Sequence, residues 1–238
     1  MATPKGFVLQ RLNSPIDGAP IVVVMTMQSN NRKTGNAAQV WILREDESPV
    51  EAIKTGLDRS ICGDCIHRRR QLPNGKWVRS CYVNVGQAPL AVWRAYKAGS
   101  YKMLWTNEAL EAAVTNRVIR WGAYGDPALI DPKLVRWLNR HAISHTGYTH
   151  QWRQEFAQAF AGTFMASCDG FADYLDATAQ GWKTFNVTPK AGAHTATSAK
   201  QCPATVEGSA ATCVTCKLCD GAKTDIFVTA HGAGAKYV

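Results

Sequence analysis

The sequence predicts an α/β fold: a partial (β/α) barrel or an open parallel sheet with an N-terminal β-hairpin and a C-terminal cysteine-rich loop. Three observations predict it. Two apolar strand patterns precede residue 60, strand and helix patterns alternate after residue 81, and four of the eight cysteines fall between residues 202 and 219. Alternation of this kind is typical of parallel βαβ units. At least four such units follow residue 81, which is too few for an eightfold barrel.

The N-terminal hairpin is predicted from two runs rich in β-branched residues, Ile21 to Met27 and Val40 to Leu43. The polar stretch from Ser29 to Asn36 separates them and has the composition of a turn. A short helix from Pro49 to Thr55 then leads to the first cysteines.

The elements after residue 81 are predicted from the spacing of apolar residues. In the helix predicted from Gln87 to Ala98, for example, Val92 and Tyr96 are apolar and one turn apart, and Arg94 falls on the opposite face. The predicted helices cover residues 87–98, 107–114, 132–145, 150–160 and 170–180. The predicted strands cover residues 117–125, 146–149, 163–167, 182–187 and 225–230.

We expect three parts along the chain. Residues 1–60 form a hairpin region packed on the core, residues 61–188 form a cluster loop and the partial barrel, and residues 189–238 form a cysteine-rich segment with a final strand. A hydrophobic fraction of 46% and eight tryptophans argue against disorder in a chain of 238 residues.

The composition also predicts where the chain works. It contains no apolar run of membrane-spanning length and no secretory pattern after Met1, so we expect a cytoplasmic protein with no membrane partner. Cysteines stay reduced in that compartment, and clustered ones then indicate metal or redox chemistry. The formal charge of +9 overstates the positive charge of the protein, because metal-bound thiolates are not counted in it.

The cysteines predict a metal centre. What we call the second cysteine group reads C-x10-C-x2-C-x2-C and consists of Cys202, Cys213, Cys216 and Cys219. The C-x2-C-x2-C run is typical of iron–sulfur clusters, whereas zinc sites more often split their ligands into two separated pairs. The spacing therefore favours a [4Fe-4S] cluster, with zinc as the alternative.

What we call the first cysteine group has only three members, Cys62, Cys65 and Cys81. Three thiolates can hold a four-iron cluster and leave one iron open, while full coordination requires a fourth donor. Cys168, predicted at a strand end, is a candidate for that donor, and the alternative is that it is a small buried hydrophobic residue. His67 is a weaker candidate.

Polar residues follow several of the predicted strands and suggest a cavity at one end of the sheet. Asp126, Asp169 and Thr188 are such residues, and each has an alternative interpretation as a helix N-cap. His150 is a candidate acid, base or cofactor contact, and the alternative is a partly buried histidine bonded to backbone.

These segments resemble the radical S-adenosylmethionine superfamily, in which a thiolate cluster loop precedes a partial barrel. The resemblance is carried by the first cysteine group with the aromatic Tyr82 after its third cysteine, and by the strand ending Gly122-Ala123-Tyr124-Gly125-Asp126-Pro127. It implies that Asp126 binds the methionine amine of the cosubstrate, that Tyr82 and His150 lie near the cofactor, and that the second cysteine group holds an auxiliary cluster. The chain departs from the superfamily in two respects: its cluster loop reads C-x2-C-x15-C where the superfamily has C-x3-C-x2-C, and Asp126 stands where the superfamily has glutamate.

More narrowly, the chain resembles uncharacterised phage-encoded proteins with C-G-D-C, C-Y-V-N-V-G-Q-A-P and G-Y-T-H-Q-W segments, here residues 62–65, 81–89 and 147–152. This resemblance covers most of the chain from about residue 60 onward. It implies that the protein works in the cytoplasm of a phage-infected host.

Three functions follow as hypotheses. The first is an iron–sulfur protein with one or two [4Fe-4S] clusters and a redox or structural role, working with a redox partner or a small-molecule substrate. The second is an active radical S-adenosylmethionine enzyme, which requires that Cys168 does not close the first cluster. The third is a zinc-stabilised nucleic-acid-binding protein that uses the basic stretch Arg68 to Arg70.

Overall fold

The structure is a computed structural model that describes residues 4–29, 31–189, 198–230 and 234–238. Within these residues the strands are β1 (Gly6–Asn13), β2 (Pro20–Thr26), β3 (Ala38–Arg44), β4 (Arg70–Gln71), β5 (Trp77–Val78), β6 (Val118–Tyr124), β7 (Ser144–Thr146), β8 (Tyr148–Thr149), β9 (Met165–Cys168), β10 (Thr184–Thr188), β11 (Lys200–Gln201) and β12 (Ile226–Thr229). The α-helices are α1 (Pro49–Thr55), α2 (Arg59–Cys62), α3 (Ala88–Lys97), α4 (Asn107–Val114), α5 (Pro132–His141), α6 (Phe171–Ala179) and α7 (Cys213–Cys216).

The strands form two five-stranded sheets and a small β4–β5 hairpin. The first sheet has the order β1-β2-β3-β6-β7; β1, β2 and β3 are antiparallel, and β6 and β7 are parallel to β3. The second sheet has the order β11-β12-β10-β9-β8, and all its pairings are parallel. The predicted mixture of parallel sheets with an N-terminal antiparallel hairpin is therefore confirmed.

The two sheets meet at Gly147, which lies between β7 and β8. A Cβ at Gly147 would lie 2.7 Å from the ring of Phe164, so a larger residue would push the two sheets apart. Its N–H donates to the carbonyl of Cys219, and its carbonyl accepts from the N–H of Met165. The strand order thus continues from one sheet to the other, but the end strands β1 and β11 do not pair with each other in the described residues, and no closed barrel forms.

The prediction of a helix over residues 150–160 was wrong. Residues 150–154 are extended or turn-like, and only Glu155–Phe160 is helical, as a 3-10 helix. The reason is tertiary: Gln151 and Trp152 are buried, and the indole N–H of Trp152 donates to the carbonyl of Ser167 in β9. These contacts hold the segment against the ends of the strands and outweigh its helical propensity.

Two other differences come from edge pairing. The helix predicted to end at residue 145 ends at His141, because Ser144–Thr146 pairs with β6. The sequence analysis missed β1, which adds to β2 at the edge of the hairpin. None of the helices among the described residues combines the length and hydrophobicity needed to cross a bilayer.

We expect Gly125→Ala to destabilise the fold strongly. Gly125 has φ +79° just after β6, and a Cβ there would lie 2.5 Å from the carbonyl oxygen of Ile42 in β3. Left-handed strain and overpacking together should lower the free energy of unfolding by about 3 kcal/mol. Gly99→Ala is the matched control, because Gly99 has φ +70° with nothing within 4 Å of the added atom. Urea unfolding followed by circular dichroism should show the smaller loss for Gly99→Ala; equal losses would mean that the contact with Ile42 has no effect.

Candidate functional site

One cavity lies beside strands of both five-stranded sheets. Its volume is about 240 Å³. Side chains in strands alternate between faces, and the lining residues of each strand are two apart, as this rule requires. The strand residues that line it are Arg120, Gly122 and Tyr124 from β6, Thr146 and Tyr148 from β7 and β8, Ser167 from β9, Phe185 and Val187 from β10, and Val228 from β12.

Both cysteine groups lie at this cavity. Every member of the first group lines it, as do Cys202, Cys213 and Cys219 of the second. These two sets are more than 100 residues apart in the chain, and the fold brings them to one space. The arrangement is what the sequence could not show, because spacing along the chain indicates ligand groups but not whether they share a cavity.

The loop after α1 positions the first cysteine group. Cys62 ends α2, and Gly63 follows with φ +54°, where a Cβ would collide with the side chain of Gln151. The amide of Gln151 donates to the carbonyl of Cys62 at 3.1 Å. Cys81 is fixed by its N–H, which donates to the carbonyl of His67. Burial raises the pKa of the Cys62 thiol, and the charges of Cys65, Asp58 and Cys81 raise it further.

The second cysteine group is built on α7 and the segments beside it. Thr212 and Thr215 form a capping box at the start of α7, and Lys217 ends it in the left-handed conformation. The N–H of Cys202 donates to the carbonyl of Phe227 in β12, and this hydrogen bond attaches the first member of the group to the sheet. Burial raises the pKa of Cys219, and the charges of its three partners in the group add to that rise. In a metal-free chain, thiols of this kind hold their protons, and metal binding must displace them.

The sulfur atoms of the cysteines do not converge on a single point. Among the described residues, the only set of three or more histidine, cysteine, aspartate or glutamate ligand atoms within 4.8 Å of one another is His67, His150 and Asp169. No three cysteine sulfurs approach one another that closely. All eight cysteines are free thiols.

Cys168 lies apart from both groups. It is fully buried in β9, and its thiol donates weakly to the carbonyl of Ala166. Its neighbour Ser167 faces the cavity, so Cys168 points to the opposite face of the sheet. Burial raises its pKa, and the charges of Asp173 and Asp169 raise it further. This position supports the interpretation of Cys168 as a small buried residue of the core over the interpretation as a metal ligand.

Asp126 lines the cavity, and both of its carboxylate oxygens already accept hydrogen bonds from other residues of the chain. Its Oδ1 accepts from the N–H of Ala128 and from the hydroxyl of Thr149 at 2.6 Å, and its Oδ2 accepts from the N–H of His150 at 2.9 Å. Burial raises its pKa, while these hydrogen bonds oppose the rise. The N-cap interpretation is confirmed for Asp126, and contact with a cosubstrate stays a prediction. Asp169 does not cap α6, whose N-cap residue is Gly170. The hydroxyl of Thr188 donates to the carbonyl of Val228, and its interpretation as a helix N-cap stays a prediction because residues 190–197 lie outside the described residues.

His150 lies between the first cysteine group and an acid. Its Nε2 is 3.4 Å from Oδ2 of Asp169, and its ring lies 5.6 Å from the ring of His67, edge to face. Burial would lower the pKa of His150, but its proximity to Cys65 and to the carboxylate of Asp169 raises it well above its usual value. His67 donates or accepts at both ring nitrogens, at 2.8 Å to Ser80 and at 2.7 Å to Asp169. The pairing of His67 with Asp169 was not predicted.

Arg120 is a charged residue of β6 that lines the cavity. Its guanidinium donates to the hydroxyl of Tyr82 at 2.8 Å and to the amide oxygen of Gln39 at 3.2 Å. The hydroxyls of Tyr82 and Tyr148 are 2.9 Å apart. Burial would lower the pKa of Arg120, but Tyr82, Tyr148 and Cys213 raise it above its usual value. Arg120 thus lies between the residue that follows Cys81 and the second cysteine group. An arginine inside an otherwise apolar strand was the available signal for it.

The side chains of the basic stretch from Arg68 to Arg70 make hydrogen bonds within the protein. Arg68 pairs with the buried carboxylate of Asp58 at 2.7 Å and donates to two carbonyls. Arg69 donates to the carbonyl of Lys54 and lies over the ring of Trp77, and Arg70 donates to two carbonyls. These contacts fasten the cysteine loop to α1 and to the C-terminal residues.

Comparisons of the chain with protein-family models, with curated proteins and with solved structures find no match.

Proposed function

We propose that this chain is an iron–sulfur enzyme of the radical S-adenosylmethionine type, with a catalytic [4Fe-4S] cluster held by the first cysteine group and an auxiliary cluster held by the second. Its substrate is a small molecule that enters the cavity between them. The observation that carries the proposal is that the two cysteine groups line one cavity beside the parallel strands of both sheets.

The ligand count supports catalysis at the first group. Three thiolates leave one iron of a four-iron cluster without a protein sulfur ligand, and Cys168 cannot reach it from the other face of the sheet. An open position beside a cavity is the arrangement in which a small molecule can bind the metal. A fourth thiolate would have favoured a role in electron transfer alone.

The separation of the sulfur atoms supports iron over zinc. Four thiolates about 2.3 Å from one zinc ion stand about 3.8 Å apart. No three cysteine sulfurs in the described residues lie within 4.8 Å of one another. In an iron–sulfur cluster each thiolate binds a different iron, so the sulfurs stand further apart. Neither group therefore has the compact arrangement of four sulfurs that a single zinc ion requires.

When bound, the reduced cluster supplies the electron that cleaves the sulfonium of S-adenosylmethionine. The residues of the chain bind, orient and shield the reactants. Gly122 and Gly125 line the cavity at the end of β6, where the resemblance places the methionine amine. Tyr148 and Phe185, stacked at 4.3 Å, form an apolar wall that excludes water. Arg120 places a positive charge where an anionic part of a substrate can bind.

A nucleic-acid-binding function receives less support from the same residues. Arg68, Arg69 and Arg70 donate to carbonyls or carboxylates of the chain itself. A patch that binds phosphates needs guanidinium groups that are free to turn towards them.

The proposal is tested with protein prepared without oxygen, reconstituted with iron and sulfide, and reduced with dithionite. Incubation with S-adenosylmethionine should give methionine and 5′-deoxyadenosine, measured by liquid chromatography and mass spectrometry. Addition of S-adenosylmethionine should also change the electron paramagnetic resonance spectrum of the reduced first cluster. A spectrum that does not respond, together with no cleavage, would contradict a catalytic role.

We expect Arg120→Met to make the second cluster harder to reduce. The substitution removes a positive charge that interacts with Cys213. In the wild type this charge stabilises the reduced cluster, because the reduced state carries one more negative charge than the oxidised state. The loss of about 1.4 kcal/mol of such interaction lowers a one-electron potential by about 60 mV, which a redox titration followed by electron paramagnetic resonance can measure. Arg117→Met is the control, since Arg117 donates to the carbonyl of Met27 and does not line the cavity. An unchanged potential in Arg120→Met would show that the arginine does not act on the cluster.

A further inference from the structure

A second kind of metal ligand lies beside the first cysteine group. His67, His150 and Asp169, which we call the His/His/Asp triad, place one nitrogen or oxygen each within 4.8 Å of the others. Oδ1 of Asp169 is 2.7 Å from Nε2 of His67, and Oδ2 is 3.4 Å from Nε2 of His150. Two ligands about 2.1 Å from one metal ion, at angles between octahedral and tetrahedral, stand about 3.0–3.4 Å apart. The 3.4 Å separation from His150 already fits a shared ion, whereas the 2.7 Å separation from His67 is that of a hydrogen bond and has to widen by about 0.3 Å or more when an ion binds.

The hydrogen bonds of the triad leave one ring nitrogen without a close partner. Nε2 of His150 is buried and has no well-directed hydrogen-bond partner, although it faces the carboxylate of Asp169. A buried ring nitrogen without a partner costs free energy unless something binds it. A metal ion between His150 and Asp169 would satisfy that nitrogen.

The surroundings of the triad are those of a metal site. Nδ1 of His67 contacts the hydroxyl of Ser80 at 2.8 Å, which orients the ring as outer partners of metal-bound histidines do. Both histidines line the cavity, so further positions on an ion held there would be open to small ligands. Two histidines and one carboxylate on one face of an ion are typical of sites for iron(II) without haem.

We propose that the His/His/Asp triad binds one divalent cation of the iron(II) and manganese(II) class, at a site separate from both cysteine groups. The ion takes one nitrogen from each histidine and one or both oxygens of Asp169. Its remaining positions face the cavity, where a small oxygen-donor or nitrogen-donor ligand can bind. The site does not depend on the proposed function, because none of its ligands is a cysteine.

The alternative is that Asp169 only joins the two histidines through hydrogen bonds and so braces the cysteine loop. Asp169→Asn separates the two cases. The amide oxygen of asparagine can still accept a hydrogen bond from His67, but asparagine is neutral and a much weaker metal ligand. Asp176→Asn is the matched control, because Asp176 is an acid on α6 that pairs with Arg153 outside the triad.

The experiment uses the full chain with its clusters reconstituted, and Mn²⁺ as the probe. Manganese prefers oxygen and nitrogen ligands to thiolates, and its loss from solution is read from the room-temperature electron paramagnetic resonance signal of the free ion. Wild type and Asp176→Asn should each bind about one Mn²⁺ per chain, and Asp169→Asn should bind it at least about tenfold more weakly. Circular dichroism of the variants controls for folding.

Two results would overturn the proposal: no binding of Mn²⁺ by the wild type, or equal affinity in Asp169→Asn. A measurement on the wild type alone guards against a variant that fails to fold. Pulsed electron paramagnetic resonance of bound Mn²⁺ should show coupling to imidazole nitrogen, and its absence would exclude the triad as the ligand set. The same titration on Cys81→Ser distinguishes this proposal from the proposed function, since loss of the first cluster should leave Mn²⁺ binding in place.

Discussion

Replacing Cys81 with serine should remove the first cluster and, with it, cleavage of S-adenosylmethionine. The first cysteine group has three thiolates at the cavity, and the loss of one leaves two, too few to hold a four-iron cluster against exchange with solvent. Iron and acid-labile sulfide should fall to about half of the wild-type content, because the second cluster keeps its own four thiolates. The rate of 5′-deoxyadenosine formation should fall at least a hundredfold, about 2.7 kcal/mol or more in activation free energy.

Cys168→Ala is the control for this result. The Cys168 thiol is buried on the face of the sheet that points away from the cavity, so the variant should keep its full content of iron and its activity. Its cost should be confined to stability, at about 1 kcal/mol for a small cavity in the core. If Cys168→Ala lost as much iron as Cys81→Ser, Cys168 would be a ligand after all, and the open iron would not exist.

The double substitution Cys213→Ser/Cys216→Ser should remove the second cluster and leave the first in place. These residues are at the two ends of α7, so the change takes away two of four ligands from one short segment. Iron should again fall to about half. The spectral response of the remaining cluster to S-adenosylmethionine should persist, because the ligands of the first cysteine group and the end of β6 are untouched.

The two sets of variants together test whether the cysteine groups serve separate centres. Separate centres predict that each variant loses half of the iron and that the combined variant loses nearly all of it. A single centre that takes ligands from both groups predicts that either variant loses nearly everything. The second outcome would contradict the arrangement proposed here.

The sequence predicted the hairpin and the parallel strands because both depend on local patterns. Val22 to Val24 and Val40 to Leu43 are runs of apolar residues with strong strand propensity, and they form β2 and β3 as expected. Boundaries were less well predicted where pairing with distant residues decided them. Ser144 belongs to a strand only because β6 lies beside it, and nothing in the helix pattern before it indicated that partner.

The candidate site shows the same division. Spacing along the chain indicated both cysteine groups. Spacing could not decide whether Cys168 faces the cavity or the core. Neighbouring residues of a strand point to opposite faces of the sheet, so a shift of one residue in the register exchanges the two environments. The contact of His67 with Asp169 joins residues 102 positions apart, and no local pattern carries that information.

The most direct test is to measure the content of iron and acid-labile sulfide in wild-type protein that has never been exposed to oxygen. Two four-iron clusters predict about eight iron and eight sulfide per chain. The reduced sample should also show a low-temperature paramagnetic resonance signal that changes on addition of S-adenosylmethionine. Protein that contains zinc with no sulfide, or neither metal nor sulfide, would contradict the account.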